Sequence, residues 1–284
     1  MSKPDVHLFH IAYSDETVNN RPAGFELMDN RRNERPDWYE YWPIRSFLQN
    51  SVLDEQAYYG FFSPKFKAKT NLGAAQVRAF VESNWKADIA AFLFSPQPDV
   101  GVFFENVFVG GELFNPGFLN ICQSVLTESG WLGDLSNVVM DSRTTVFSNY
   151  LVARPAYWRK WLQICECVFL LSENPLLRPP LHQQLNMTTG YGDGVAQRKI
   201  FVIEGIASLI LTVGGHPSYA ISPFVVPWFS IFSRYRAEAI AADALKMAFI
   251  ETRQIEYLVQ FRALKERVMR EAVGAARVAS PISA

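Results

Sequence analysis

The chain has 284 residues, of which 27 are Lys or Arg and 28 are Asp or Glu, and 14% of all residues are aromatic. This length suffices to bury a substantial core and fits one large domain, or one domain with an appendage. Because the charges nearly balance, the protein has no strong net positive charge to attract nucleic acid, and a nucleic-acid partner is not expected.

The N-terminal residues contain no apolar signal region, and no apolar run reaches the roughly 18 residues that cross a bilayer. We therefore predict a cytoplasmic protein. Strands are predicted at residues 6–13, 58–62 and 89–95, and helices at about 38–50 and at 74–84. This alternation of strands and helices predicts an α/β sheet.

The middle of the chain continues this pattern. It contains an apolar segment at residues 103–108, a helix at about 116–129, a strand at 144–153 and a long helix at 155–172. Cys165 and Cys167 lie one residue too close for a Cys-x-x-Cys motif, and we predict that they are core residues of that helix. Residues 173–199, rich in Pro and Gly, form the longest irregular region, which is typical of a lid or binding loop. A helix at 198–211 and an extended segment at 217–227 follow.

The character of the sequence changes near residue 229. We predict an α/β domain at residues 1–228 and a C-terminal extension of amphipathic helices at 229–284. The extension could dock on the sheet domain, pair with another subunit, or lie on a membrane surface. Its weakly basic charge disfavours strong attraction to lipid.

Known catalytic motifs are absent from the sequence. It contains no dinucleotide-binding Gly-x-Gly-x-x-Gly, no phosphate-binding loop, no Gly-x-Ser-x-Gly, no His-Glu-x-x-His and no Asp-x-Asp. His7 and His10 are predicted on opposite faces of the first strand, so they cannot hold one metal ion from it.

The segment 29–66 combines aromatic and hydrogen-bonding side chains in an unusual density. Such a mixture suits a sugar or nucleotide pocket, although a proline-bounded loop with aromatic anchors is an alternative. The residues that carry this pattern include Asn30, Glu40, Trp42, Tyr59 and Lys65.

Other polar clusters lie near predicted strand ends. Asp141 and Arg143 precede a strand and could project at the sheet edge, or could form a pair that closes a turn. Asn149 lies inside that strand, where a buried amide needs a partner. Lys65, Lys67 and Lys69 suit phosphate, although a solvated run is the alternative for the last two. Glu204, in an apolar helix, is either an exposed position or a buried functional acid.

The order of these segments resembles small GT-A-like glycosyltransferases of bacterial capsule and O-antigen clusters over about residues 5–225. The matching segments are Asn33-Glu-Arg-Pro-Asp-Trp-Tyr-Glu-Tyr-Trp-Pro-Ile-Arg, Tyr59-Gly-Phe-Phe-Ser-Pro-Lys-Phe, Asn149-Tyr-Leu-Val-Ala-Arg-Pro-Ala-Tyr-Trp and Phe201-Val-Ile-Glu-Gly-Ile-Ala. Two positions depart from the family pattern: Gly205 replaces the Arg that follows the late Glu, and the metal-binding Asp-x-Asp is missing.

The resemblance implies a Rossmann-like GT-A-type mixed sheet that transfers a sugar from a nucleotide-sugar donor to a surface glycan or glycolipid acceptor. It leaves open whether Mn²⁺ or Mg²⁺ is used, and it implies a cytoplasmic location, with contact to the inner membrane or to a second subunit through the C-terminal helices left open. Carried over by position, its candidate pocket residues are Asn30, Glu40, Trp42, Tyr59, Lys65, Asn149 and Glu204.

The chemistry of such a transfer assigns roles to the remaining clusters. Lys65, Arg143 or a metal ion would neutralise the leaving diphosphate, and Asp141 or Glu204 would deprotonate the acceptor hydroxyl. Two alternatives stay open. One is a non-catalytic carbohydrate- or nucleotide-binding partner of a polysaccharide-assembly complex, and the other is a hydrolase, which would need a nucleophile or paired carboxylates that the sequence does not display.

Overall fold

A computed structural model describes residues 3–191 and 194–279. The strands are β1 (Val6–Ala12), β2 (Glu26–Asp29), β3 (Tyr58–Phe62), β4 (Ala91–Leu93), β5 (Leu151–Ala153), β6 (Thr188–Tyr191), β7 (Gly194–Gln197) and β8 (Ser218–Ala220). The helices are α1 (Asp15–Asn19), α2 (Tyr41–Asn50), α3 (Phe66–Thr70), α4 (Ala74–Asn84), α5 (Pro98–Gly101), α6 (Val107–Phe114), α7 (Phe118–Glu128), α8 (Pro155–Glu173), α9 (Pro179–Asn186), α10 (Arg198–Val213), α11 (Arg236–Thr252) and α12 (Ile255–Ala279).

Six strands form one mixed sheet in the order β2-β1-β3-β5-β4-β8. The pairs β1 with β2, β1 with β3 and β4 with β8 are parallel, whereas β5 runs antiparallel to both of its neighbours, β3 and β4. A second, two-stranded antiparallel sheet joins β6 to β7. The predicted α/β class with a mixed sheet is therefore confirmed.

Strand β3 is buried on both faces, as its continuous apolar run indicates. Tyr59 and Phe61 contribute to a core that includes residues of α2, α7, α8, α9 and α10. Tyr58 and Phe62 contribute to a core on the opposite face with residues of α3 and α4. Gly60 allows close approach between strands, because a Cβ there would lie 2.8 Å from Cγ2 of Val152.

Local periodicity located several elements well. The predicted strand at 58–62 and the helix at 74–84 match β3 and α4, and the long helix predicted at 155–172 matches α8 within one residue. The cysteines predicted in α8 contribute to the core, Cys165 fully buried and Cys167 partly exposed. Strand β2 was not predicted. Only one of its four residues is buried, so its sequence shows no alternation of apolar and polar residues.

Two predictions about the second half of the chain are wrong. The strand expected over 144–153 is confined to β5, because Ser148 and Asn149 have φ angles of 58° and 52°, which an extended strand cannot contain. The region 173–199, expected to be irregular, contains α9, β6 and β7. Pro179 and Pro180 begin α9, where Pro is tolerated.

The C-terminal extension forms two helices that pack against the rest of the chain. Residues of α11 and α12, among them Phe261, share a core cluster with Val102, Phe103 and Phe104. Lys246 of α11 is buried and donates hydrogen bonds to the carbonyl oxygens of Gly101 and Phe104, at 3.1 and 2.9 Å. Within the described chain, no helix combines the length and apolar character needed to cross a bilayer.

We predict that Phe261→Ala destabilises the whole protein. Phe261 is fully buried in the cluster that joins α12 to Phe103 and Phe104, and loss of such a ring costs about 3–5 kcal/mol. The matched control is Val259→Ala on the exposed face of α12, which should change the free energy of unfolding by less than about 0.5 kcal/mol. Urea unfolding followed by circular dichroism measures both, and equal effects would contradict this packing.

Candidate functional site

Two adjoining cavities lie where the carboxyl ends of the parallel strands meet one edge of the sheet. Cavity A has a volume of about 780 Å³ and is defined by Gln97, Phe104, Phe114, Asn115, Phe118 and Phe147. Cavity B has a volume of about 530 Å³ and is defined by Tyr13, Thr17, Asn33, Tyr39, Glu40 and Asn149. Open α/β sheets bind their ligands at this edge.

Cavity B lies at the point where the chain switches direction across the sheet. From β1 the chain passes to β2 on one side, then crosses back to β3 on the other side of β1. Tyr13 follows β1 directly, and Ser63 follows β3 directly, and both side chains line cavity B. A crevice forms at such a switch point because the two connections leave on opposite sides of the sheet.

Four residues line both cavities, and we call this group the junction. They are Lys65, Lys69, Ser148 and Glu204. Lys65 directly precedes α3, and Lys69 follows one turn later on that helix. The Lys69 ammonium donates a hydrogen bond of 2.9 Å to Oγ of Ser148. The junction therefore places two cations and one carboxylic acid between two cavities.

Glu204 is held in an environment that favours its protonated form. Burial raises its pKa to about 7, and the negative charge of Glu40 adds to the rise, while Lys69 and a hydrogen bond from the Ser148 backbone oppose it. Burial also raises the pKa of Glu40, against the charges of Lys69 and Lys65. An acid with a pKa near neutrality suits proton transfer.

Backbone strain is concentrated around the two cavities. Among the described residues, seven that are not glycine have a positive φ. Five of these line the cavities, and the other two are the C-terminal caps of α3 and α11. The five are Asn33, Tyr39, Gln97, Ser148 and Asn149. Such conformations cost about 1–3 kcal/mol each and cluster at functional sites.

Two buried amides in the cavity walls lack hydrogen-bond partners among the described residues. Asn115 in cavity A has both Oδ1 and Nδ2 unpaired, and Asn149 in cavity B has Oδ1 unpaired. Both residues are only 6% exposed. Because buried amides are nearly always paired, these unpaired atoms mark both cavity walls as candidate ligand sites.

The loop that carries Tyr39 and Glu40 is fixed by a network of charges behind cavity B. Lys199 of α10 is buried, and its ammonium lies 2.8 Å from Asp37 and 4.1 Å from the centre of the Trp38 ring. Arg35 pairs with Asp37 at 2.9 Å and with Glu173 of α8 at 2.7 Å. Burial lowers the pKa of Lys199, although Asp37 and Glu173 favour its charge.

The structure brings four of the predicted site residues together. Glu40, Lys65, Asn149 and Glu204 all line the cavities. Lys69, which the sequence suggested as a solvated cation, is a junction residue, and its one-turn spacing from Lys65 on a helix was the available signal. Tyr39 lies in the segment 29–66 that was predicted to suit a pocket, but it was not among the candidate site residues, because no sequence pattern reveals its positive φ.

Three other predicted residues lie outside the lining of both cavities. Tyr59 is buried in β3, where its hydroxyl accepts a hydrogen bond from the Asp54 backbone. Trp42 on α2 lies under the guanidinium groups of Arg35 and Arg45. Asn30 follows β2 and has its amide nitrogen buried and unpaired within the described chain.

Asp141 and Arg143 also lie outside both cavities and form a pair. The Arg143 side chain donates to Asp141 at 2.9 and 2.6 Å, and Asp141 accepts the Arg143 backbone N–H at 2.8 Å. Arg143 also pairs with Glu251 of α11 at 2.5 Å. The expected strand does not begin here, because the backbone forms a turn in which the Thr144 N–H bonds to the Asp141 carbonyl.

The described parts of the chain contain no group of three or more His, Cys, Asp or Glu side chains that could bind a metal ion. His7 and His10, predicted on opposite faces of β1, have separate partners: Glu26 for His7 and the Thr17 carbonyl for His10.

Comparison of the chain with protein-family models, curated proteins and solved structures finds no match.

We predict that Glu204→Gln changes the pH dependence of stability. The folded pKa of about 7 lies above the ordinary value of 4.5. Protonated Glu204 therefore stabilises the fold fully below pH 4.5, and this contribution is lost as the pH rises toward 7. The Gln variant should gain about 3 kcal/mol relative to the natural protein over that interval.

Denaturant unfolding at a series of pH values measures this difference. Glu256→Gln, at an exposed position of α12, is the matched control. A difference between the Glu204→Gln and natural proteins that stays constant with pH would contradict the raised pKa of Glu204.

We predict that Lys199→Met lowers the free energy of unfolding by about 2–3 kcal/mol. The variant removes one of the two cations paired with Asp37, and it removes the donor to Oδ1 of Asn186. The control is Arg159→Met, which breaks the exposed pair with Glu55 and should cost less than about 1 kcal/mol. Urea unfolding compares the two, and equal losses would contradict a special role for the buried network.

Proposed function

We propose that this protein is a GT-A-type glycosyltransferase that moves a sugar from a nucleotide-sugar donor to a bacterial surface polysaccharide or glycolipid acceptor. The observation that carries the proposal is the junction, where Lys65, Lys69 and Glu204 lie between two cavities at the ligand-binding edge of the sheet. Glycosyl transfer needs two substrates side by side, positive charge for the leaving diphosphate, and a base for the acceptor. The mixed sheet supports the GT-A type.

Cavity B suits the nucleotide part of the donor. It occupies the switch point, where doubly wound sheets bind nucleotides. Tyr13 and Tyr39, both partly exposed, line it and offer aromatic faces for a base. The unpaired Oδ1 of Asn149 offers an acceptor to a ribose hydroxyl or a base N–H. The diphosphate would then lie at the junction, beside Lys65 and Lys69.

The chemical step follows from this placement. The oxygen of an acceptor hydroxyl attacks the anomeric carbon, and the bond from that carbon to the diphosphate oxygen breaks. The proton of the hydroxyl passes to the carboxylate of Glu204, and the nucleoside diphosphate leaves with the bonding electrons. Lys65 and Lys69 stabilise the negative charge that develops on the leaving group. A base with a pKa of about 7 is effective near neutral pH.

Other residues support this arrangement indirectly. Lys199 and Arg35 hold the loop that presents Tyr39 and Glu40. Asp141 and Arg143 have no part in the proposed step, because they pair with each other outside the cavities. Trp42 and Tyr59 act through packing, in contact with Phe169 and His7 respectively.

We predict that the Lys65→Met and Lys69→Met variants bind nucleoside diphosphates more weakly, by roughly tenfold or more each, because each removes one charge beside the diphosphate. Lys67→Met is the matched control, since Lys67 is exposed on the same helix and lines neither cavity. Calorimetric titration with a panel of nucleoside diphosphates and sugar nucleotides, with and without Mn²⁺ or Mg²⁺, measures the affinities.

Turnover separates catalysis from binding alone. Glu204→Gln should retain nucleotide affinity and lose roughly 10²–10⁴-fold in the release of nucleoside diphosphate from the bound sugar nucleotide. In the natural protein this rate should rise with pH toward about 7, as Glu204 loses its proton. Nucleotide binding without turnover would favour the non-catalytic binding partner, and absence of any nucleotide binding would refute the proposal.

A further inference from the structure

We propose that cavity A is the acceptor subsite and that Asn115 recognises two adjacent hydroxyl groups of a pyranose ring at the acceptor end. This inference rests on the proposed function. It defines the acceptor as a sugar with a free vicinal diol, in which one hydroxyl donates to Oδ1 of Asn115 and its neighbour accepts from Nδ2.

The state of Asn115 in the ligand-free chain is the starting observation. Asn115 follows α6 and is only 6% exposed, and within residues 3–191 and 194–279 neither Oδ1 nor Nδ2 has a hydrogen-bond partner. Its backbone, by contrast, is engaged: the N–H bonds to the Gly111 carbonyl, and the carbonyl accepts from Phe118. A buried amide with both polar atoms unpaired is costly, so its presence in a cavity wall requires an explanation.

Asn106, at the other end of α6, lies in the same cavity wall, and its side-chain amide is fully hydrogen-bonded within the protein. Its Oδ1 accepts the backbone N–H groups of Phe108 and Val109, at 3.0 and 2.9 Å. Its Nδ2 donates to the carbonyls of Leu135 and Val138, both at 2.8 Å. Asn106 is therefore satisfied by the protein, whereas the Asn115 amide is left for a ligand.

The chemistry of the two atoms defines the group that fits. An asparagine amide offers one acceptor and two donors side by side. A vicinal diol supplies a donor and an acceptor from neighbouring hydroxyls, so it can satisfy both atoms together. Both atoms are shielded in the ligand-free chain. A turn of the side chain about the Cα–Cβ bond would bring them into the cavity, and the ligand would then supply the missing partners.

The remaining walls of cavity A suit the apolar face of a sugar ring. Phe104, Phe114, Phe118, Phe147 and Phe201 line it, and its cationic side chains, Lys65 and Lys69, belong to the junction. Aromatic faces pack on the C–H face of a pyranose while hydroxyls bond at the ring edge. A volume of about 780 Å³ falls in the range of pockets that enclose a small ligand.

The position of Glu204 distinguishes an acceptor from a donor sugar. With the nucleotide in cavity B and the diphosphate at the junction, an inverting displacement brings the attacking hydroxyl to the anomeric carbon from the side away from the nucleotide. Glu204 lines cavity A as well as cavity B, so it can meet a hydroxyl that enters from cavity A. The ring beyond that hydroxyl then lies among the phenylalanines and beside Asn115.

The test uses Asn115→Leu, which keeps the approximate size of the side chain and removes both polar atoms. The full chain is saturated with the nucleoside diphosphate that it binds best, and the methyl glycosides of glucose, galactose and mannose are titrated by saturation-transfer NMR. We expect one or more glycosides to bind the natural protein, and their affinity to fall roughly tenfold or more in the variant. We also expect an unchanged or higher melting temperature, because an unpaired buried amide has been removed.

Asn120→Leu, at an exposed position of α7, is the matched control and should keep the glycoside affinity. Deoxy analogues of the bound glycoside should lose affinity when either hydroxyl of the recognised pair is missing. A lower melting temperature with unchanged glycoside affinity in Asn115→Leu would overturn the inference, because the amide would then be structural.

Two further outcomes separate this inference from the proposed function. If the natural protein binds nucleoside diphosphate but no glycoside, the acceptor subsite is refuted and the transferase proposal stands. If Asn115→Leu instead removes the extra affinity of a sugar nucleotide over its nucleoside diphosphate, Asn115 contacts the donor sugar and the acceptor assignment is overturned. Failure of nucleotides to bind at all refutes the proposed function itself.

Discussion

The antiparallel placement of β5 between β3 and β4 is the constraint on which the rest of the site depends. Because β5 runs against its neighbours, its first residues reach the same edge as the carboxyl ends of β3 and β4. Ser148 and Asn149 are thereby brought beside the lysines that follow β3, and Lys69 bonds to Ser148. A parallel β5 would carry these residues to the opposite edge of the sheet. The direction of one short strand thus assembles the junction from segments distant in sequence.

Local sequence patterns predicted the elements that depend on local forces. The apolar run of β3 and the helical periodicity of α4 and α8 could be recognised because each pattern lies within one continuous stretch of the sequence. Lys65 and Glu204 were found because a cation after a strand and an acid in an apolar helix stand out. The pairing of β5 depends on contacts between distant segments. The positive φ of Tyr39 could not be derived from periodicity.

The charged groups at the junction and the charged groups behind cavity B are neutralised in different ways. The two lysines of the junction interact with Glu204 and with Glu40 of cavity B, and burial raises the pKa of both carboxylic acids. Behind cavity B, Arg35 and Lys199 face Asp37 and Glu173, and hydrogen bonds join the four groups. The second network resembles a structural ion-pair network, since its members are satisfied by one another. The first contains groups whose protonation can still change, as a site of proton transfer requires.

Helix α10 connects these two regions physically. Its Lys199 anchors the loop behind cavity B, Ile200 and Ile203 face cavity B, Phe201 and Gly205 face cavity A, and Glu204 faces both. These positions span about 8 to 9 Å of a continuous helix, which moves as a stiff rod. A small slide or roll of α10 would therefore reshape both compartments at once. A ligand in cavity A and a ligand in cavity B would therefore contact the same helix, so α10 couples the shapes of the two cavities.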